Sequence, residues 1–209
     1  MIVSIIGNID KRAVAYPLMR ALAIQGKTAV ITDDSSFNRL YLEDSNKGQI
    51  SNVDILIKDS IKENSDNELD EKSEEIVNKL FISKTFVHPK SDKTIIVRGV
   101  DRSMSVLRDI DEDDDIEDDE EEITKTEEEV QKVFEVIVST EQPQEKVKNL
   151  QLLTGDDFKY IWDTEERKEL VKVSKNLVKI VSPIVESITG TSKNETMKLI
   201  NRDLVTVGK

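Results

Sequence analysis

The first 32 residues alternate between short apolar runs and a helical pattern, and this order restricts the chain to few folds. Residues 2–6 form an apolar, β-branched run that ends at Gly7. Residues 13–24 place apolar groups at helical spacing and stop at Gly26, and residues 28–32 form a second apolar run. Strand, helix and strand in so short a stretch is the βαβ unit, whose two strands pair in parallel.

Further runs extend this pattern along the chain. Residues 53–57 and 94–97 are predicted as strands, and residues 133–138 as either a last strand or the end of a helix. Residues 60–80 carry a thin apolar stripe typical of a polar helix, and a short helix is predicted near residues 103–107. We therefore expect an α/β fold with a mainly parallel sheet and helices on both faces.

The C-terminal end is predicted to be helical. Residues 165–189 repeat apolar groups at helical spacing, and Gly190 follows as a stop. Ser192 and Glu195 have the spacing of a capping box, so a short helix is expected over residues 193–201.

Three aromatic residues, Phe158, Tyr160 and Trp162, lie close together ahead of the last helices. Aromatic side chains bury a large area, so we expect the three to anchor the C-terminal helices in the core. A surface for a protein partner is the alternative.

The net charge of −13 comes from one local feature. Twelve acidic residues and no basic ones lie between Asp109 and Glu122, so the rest of the chain is almost balanced. This distribution excludes a general nucleic-acid surface and predicts a solvated insertion. A calcium loop is the alternative, although Asp114 stands where that loop needs glycine. We expect a core over residues 1–108, the insertion over 109–129 and the rest of the α/β domain over 130–209.

Other classes of protein are disfavoured by what the sequence lacks. The chain has no cysteine, which excludes disulfides and thiolate metal sites. No apolar run approaches the ~18 residues of a membrane-spanning helix, so we expect no transmembrane segment and a cytoplasmic location. His88 is the only histidine, and no metal site is predicted around it.

A strand, a turn at Gly7 and a helix form the layout of a phosphate-binding loop, which uses backbone amides and a lysine to hold phosphates. Lys11 and Arg12 are the candidate cations of such a site, and Asp33 and Asp34 follow the next strand. The alternatives are a plain solvated turn for residues 8–12 and a strand-end cap for the two aspartates.

Over about residues 1–100 the chain resembles the ParA/MinD family of deviant-Walker ATPases. The likeness lies in the Ile-rich strand, the loop with Lys11, a helix that ends in Gly26-Lys27, and a strand that closes on Asp33 and Asp34. The resemblance implies a P-loop NTPase-like fold with a nucleotide site at Gly7, the two loop cations and the two aspartates. It also implies a homodimer that recruits other proteins.

The chain departs from this family at the positions that perform its chemistry. Asn8 and Asp10 stand where the family has glycines, and Ile6 stands where it has an extra lysine. Arg12 replaces the magnesium-binding hydroxyl, and Arg98 follows the strand that should end in an acid. We therefore expect no catalytic residues, no ATPase activity and no cofactor, although ATP or another nucleotide remains a candidate ligand.

The function expected from the sequence is that of a non-hydrolysing assembly, positioning or scaffolding factor that works through protein–protein contacts. Degenerate members of the resembled family suggest a pilus, conjugation-type or mobile-element machine. One alternative is a divergent nucleotide-binding switch ATPase in which Lys11 and Arg12 hold phosphates. Another is a structural subunit of a phage or secretion particle.

Overall fold

The computed structural model describes residues 1–40, 47–62, 76–100, 133–142, 147 and 149–201. They build one eight-stranded sheet of order β3-β4-β2-β5-β1-β6-β7-β8. All neighbouring strands pair in parallel except β3 and β4, which are antiparallel. The strands are β1 Ile2–Ile6, β2 Thr28–Thr32, β3 Lys47–Ile50, β4 Val53–Ile57, β5 Asn78–Ser83, β6 Lys93–Gly99, β7 Val133–Ser139 and β8 Leu150–Leu152.

Four α-helices and one 3₁₀ helix accompany the sheet in the described residues. They are α1 Arg12–Gln25, the 3₁₀ helix Ser35–Leu40, α2 Gly155–Arg167, α3 Lys175–Thr189 and α4 Lys193–Asn201. The α/β class, the mainly parallel sheet and the helical C-terminal end predicted from the sequence are confirmed.

The main core lies between the sheet and the four α-helices. Val3 and Ile5 of β1 point into it, and Val14, Leu18 and Leu22 of α1 cover them, as the apolar periodicity predicts. Because α2, α3 and α4 contribute to the same cluster, the described helices all lie on one face of the sheet. We expected helices on both faces of the sheet, but within the described residues they cover only one face.

The opposite face carries a smaller apolar cluster of Ile31, Leu56, Ile61 and Phe81. The ring of His88 stacks on Phe81 with the ring centroids 4.5 Å apart. The single histidine is therefore a buried packing residue of the β5–β6 connection.

One predicted element proves wrong where the structure describes it. The expected helix over residues 60–80 overlaps β5, which lies in the middle of the sheet between β2 and β1. The first two predicted strands are therefore parallel but separated by β5, and their expected direct pairing is wrong. Leu80, Phe81 and Ile82 are all buried because apolar groups cover both faces of this strand. A strand covered on both faces has a continuous apolar run instead of alternating apolar and polar residues, so the sequence pattern does not identify it as a strand.

Other differences concern short or interrupted elements. Residues 133–138 form a strand, one of the two predicted alternatives, whereas β3 and β8 were missed because they are short and partly polar. The pattern over residues 165–189 covers the end of α2 and all of α3, separated where Lys168 adopts left-handed backbone and Ser174 caps α3. The helix predicted over residues 193–201 is confirmed.

Several predicted features lie outside the described residues. These are most of the helix expected over 60–80, the short helix near 103–107 and the acidic run 109–122 with its calcium alternative.

A buried arginine joins α1 to the C-terminal helices. Arg20 is almost fully buried, and its Nε donates to the carbonyl of Ile200 at 2.8 Å. Its Nη1 donates to the carbonyl of Leu170 between α2 and α3. Buried carbonyls without donors are costly, so Arg20 fixes where the last helices sit on α1.

We predict that Arg20→Met lowers the free energy of unfolding by about 1–3 kcal/mol for each carbonyl it leaves unpaired. Urea unfolding measures this as a lower midpoint at an unchanged slope. Arg167→Ala removes an exposed arginine of α2 and should stay within about 0.5 kcal/mol of the parent. Equal stabilities of the two variants would show that Arg20 does not hold these helices.

Candidate functional site

The β1–α1 loop lies at the point where the sheet changes direction. From β1 the chain runs through α1 to β2, which lies beyond β5 on one side, whereas β6, the neighbour of β1 on the opposite side, leads away towards β7. In open α/β sheets, ligands bind in the crevice outside the carboxyl ends of the strands at such a switch point. The position of this loop therefore matches that of a ligand site.

Gly7 is required by the close approach of this loop to β6. Its backbone has a φ of +147°, and a Cβ there would lie 2.0 Å from the carbonyl oxygen of Val97. No side chain fits this position, so the glycine predicted from the sequence has a packing reason of its own.

Lys11 is enclosed by oxygen atoms of the protein. Its side chain is 1% exposed, and Nζ lies 2.7 Å from Oδ2 of Asp34. Nζ also donates to the carbonyls of Gly7 at 2.7 Å and Ile9 at 3.2 Å. An ammonium has three N–H donors, so these three oxygens can use all of them. The expectation that the loop is solvated is therefore wrong for Lys11.

Asp34 combines two roles at the end of β2. Its Oδ1 accepts the backbone N–H of Ser36 at 2.9 Å and caps the 3₁₀ helix, in agreement with the predicted strand-end cap. Burial raises the pKa of Asp34, but hydrogen bonds from Lys11 and Ser36 outweigh burial and hold it below its ordinary value. The stabilisation is thus present above about pH 4 and is lost as the pH falls through the folded-state pKa.

Arg12 is engaged by two carboxylates. Its Nη2 lies 2.7 Å from Oδ2 of Asp10, its Nε lies 3.0 Å from Oδ1, and its Nη1 lies 2.8 Å from Oε1 of Glu165. Hydrogen bonds to Asp10 raise the pKa of Arg12 against the opposing effect of burial. The backbone N–H of Arg12 also donates to Asp10 at 3.0 Å. Asp10 therefore supplies the anion at the start of α1.

Glu165 extends this network into the C-terminal helices. Its Oε1 also accepts the hydroxyl of Tyr16 at 2.9 Å. Burial and the nearby Glu165 carboxylate raise the pKa of that tyrosine. Sequence analysis missed both residues because Glu165 lies 149 positions after Tyr16 and no motif marks the pair.

The remaining predicted positions lie apart from this cluster. Oδ2 of Asp33 accepts the hydroxyl of Ser83 at 3.1 Å, so this aspartate faces β5. Arg98 lies within β6 and pairs at the surface with Glu135 of β7 at 2.9 Å. The structure brings together three of the five candidate residues, Gly7, Lys11 and Asp34. Arg12 belongs to a neighbouring network with Glu165, and Asp33 belongs to neither group.

A cleft of about 270 Å³ opens beside the loop, between the ends of β6 and β7 and helix α2. Its lining is largely apolar and includes Ile9, Ala13, Leu153, Phe158 and Ile161. An apolar lining suits an apolar side chain or small molecule better than a triphosphate.

Two aromatic residues of α2 stand at the surface next to this cleft. Phe158 is 44% exposed and Trp162 is 53% exposed, so the expectation of core anchors is wrong for both. Tyr160, on the other side of the helix, is 4% exposed and confirms it. The guanidinium carbon of Arg39 lies 5.1 Å from the centroid of the Trp162 ring. We call Phe158, Trp162 and Arg39 the α2 aromatic surface.

Two classes of site are not found in the described part of the chain. No three histidine, aspartate or glutamate side chains there are grouped so as to hold a metal ion. None of the described helices is long and apolar enough to cross a membrane.

Neither a family model, nor a curated protein, nor a solved structure matches this chain. The fold and the site therefore define only a class of protein for this chain. It is a mixed α/β protein in which the two cations of the switch-point loop are paired with carboxylates of the same chain.

We predict that Lys11→Ala destabilises the protein by about 3–5 kcal/mol, because it leaves the Asp34 carboxylate buried without its counter-ion. Urea unfolding at pH 7 measures the change. Lys179→Ala, at an exposed position of α3, is the matched control and should change stability by less than about 0.5 kcal/mol. If the two alanine variants unfold at the same urea concentration, Lys11 is not the buried partner described above.

Proposed function

We propose that this chain is a non-hydrolysing, ParA/MinD-like protein that acts through protein–protein contacts as an assembly, positioning or scaffolding factor. The observation that carries the proposal is the pairing of both loop cations with carboxylates of the same chain. Lys11 contacts Asp34 at 2.7 Å, and Arg12 contacts Asp10 and Glu165.

Phosphate binding at this loop would require these contacts to break. A bound phosphate needs the lysine ammonium and the first amides of the helix to face the ligand. Withdrawing Lys11 would leave Asp34 unpaired, and the Asp10 carboxylate would repel the phosphate. These costs favour a loop that serves the fold over a loop that turns over ATP.

The α2 aromatic surface supports action through protein contacts. Tryptophan, phenylalanine and arginine are enriched at protein interfaces relative to the rest of the surface. Here Phe158 lines an apolar cleft, Trp162 follows one helical turn later and is 53% exposed, and Arg39 contacts the Trp162 ring. The partner, and whether the chain also forms a homodimer, belong to this proposal and are open to experiment.

A nucleotide-binding switch is the second candidate function. The observation in its favour is the position of Gly7 and the start of α1 at the switch point of the sheet. Such a switch would have to exchange the Asp34 partner of Lys11 for a phosphate.

We predict that isothermal titration with ATP, ADP and GTP, with and without magnesium, gives no saturable binding tighter than about 1 mM. Phosphate release should stay below about 0.01 per second, the order reached by slow switch GTPases. A saturable, magnesium-dependent signal that Arg12→Gln abolishes, in a variant that remains folded, would favour the switch instead.

A further inference from the structure

The α2 aromatic surface offers a cation that the rest of the described chain engages only loosely. The Arg39 side chain is 59% exposed, and its Nη1 lies 3.7 Å from Oε2 of Glu165, beyond hydrogen-bond distance. Its other contact is the Trp162 ring. Since a guanidinium carries five N–H donors, Arg39 can donate hydrogen bonds to the carboxylate of a partner molecule without losing one that it already makes.

Arg39 also has an aromatic partner at this surface. Its guanidinium carbon lies over the ring of Trp162, 5.1 Å from the ring centroid, which is within the range of a cation–π contact. The buried carboxylate of Glu165 lies behind it. The planar guanidinium in this position is suited to bidentate recognition of a carboxylate.

The cleft next to this cation accepts an apolar group. Phe158 lines the cleft and stands four residues before Trp162, so the aromatic ring that Arg39 contacts lies about one helical turn along α2 from a residue of the cleft. An apolar cavity of ~150 Å³ accommodates benzene, and a cleft of about 270 Å³ has room for one large side chain.

We propose that the α2 aromatic surface docks a protein segment that places one large apolar side chain in the cleft and an aspartate or glutamate on Arg39. This inference deepens the proposed function and rests on its premise that the chain works through protein contacts. Charge complementarity selects the acid. The neighbouring carboxylate of Asp10 is already paired with Arg12, so the cation turned outward at this surface is Arg39. A nucleic acid is disfavoured because its binding requires several cations, whereas Arg39 is the one cation among the three residues that define this surface.

Selection of a displayed library of 12-residue peptides on the full-length protein tests this proposal. The enriched peptides should share an aromatic or large aliphatic residue with an acidic residue three or four positions away. A synthetic peptide from the selection should bind Trp162→Ala and Arg39→Ala at least about tenfold more weakly than the parent. Both positions are exposed, so the variants should stay folded, as circular dichroism can verify.

A double-mutant cycle separates a direct contact from a general effect of charge. Replacing the acid of the peptide by its amide should weaken binding to the parent about tenfold but leave binding to Arg39→Ala unchanged. Arg167→Ala and Met197→Ala, which remove an arginine and an exposed apolar side chain elsewhere, should bind like the parent. The proposal is overturned if no peptide is enriched, if the peptides bind both α2-surface variants as tightly as the parent, or if a 12-nucleotide single strand binds there instead.

The outcome is separate from that of nucleotide titration. Peptides that depend on Arg39 in a protein that also binds ATP would refute the non-nucleotide function and leave the docking surface standing. The absence of both nucleotide binding and Arg39-dependent peptides would refute the docking surface alone.

Discussion

The ion pair between Lys11 and Asp34 determines what the switch point of this sheet can do. It joins the β1–α1 loop to the end of β2, and both side chains are buried. Desolvating two charges is expensive, and a buried pair is tolerated when further hydrogen bonds satisfy its members. Those bonds exist here, because the carbonyls of Gly7 and Ile9 complete the shell of the ammonium and Ser36 donates to the carboxylate. Oxygen atoms surround the Lys11 ammonium, as they would surround a bound cation, whereas a phosphate needs N–H donors around it.

The second network carries this constraint from the loop to the C-terminal helices. Arg12 bridges Asp10 and Glu165, and Glu165 lies on α2, the helix that displays Trp162 at the surface. The same carboxylate lies 3.7 Å from Arg39. Glu165 thus links the α2 aromatic surface to Arg12 of the switch-point loop, which is why we treat the two as parts of one proposal.

Sequence reasoning succeeded where the pattern is local and failed where it depends on tertiary contacts. The order strand, helix, strand follows from apolar periodicity, but the expected direct pairing of β1 with β2 is wrong because β5 lies between them. Gly7, Lys11 and Asp34 follow strands and are singled out by that position. Burial of Lys11 was not foreseen, because nothing local indicates that a loop lysine turns inward to an aspartate 23 residues away. Glu165 was out of reach for the same reason. Trp162 was misplaced because a large aromatic residue in a chain with few of them favours the core on general grounds.

The most direct test of the central claim is the coupling energy between Lys11 and Asp34. A double-mutant cycle with Lys11→Met, Asp34→Asn and the double variant, followed by urea unfolding at pH 7, isolates that energy from the cost of each substitution. Our account predicts a coupling of about 1–3 kcal/mol, with the double variant clearly more stable than the sum of the single changes implies. A coupling within about 0.3 kcal/mol of zero would contradict it, because Lys11 would then be free to bind a phosphate.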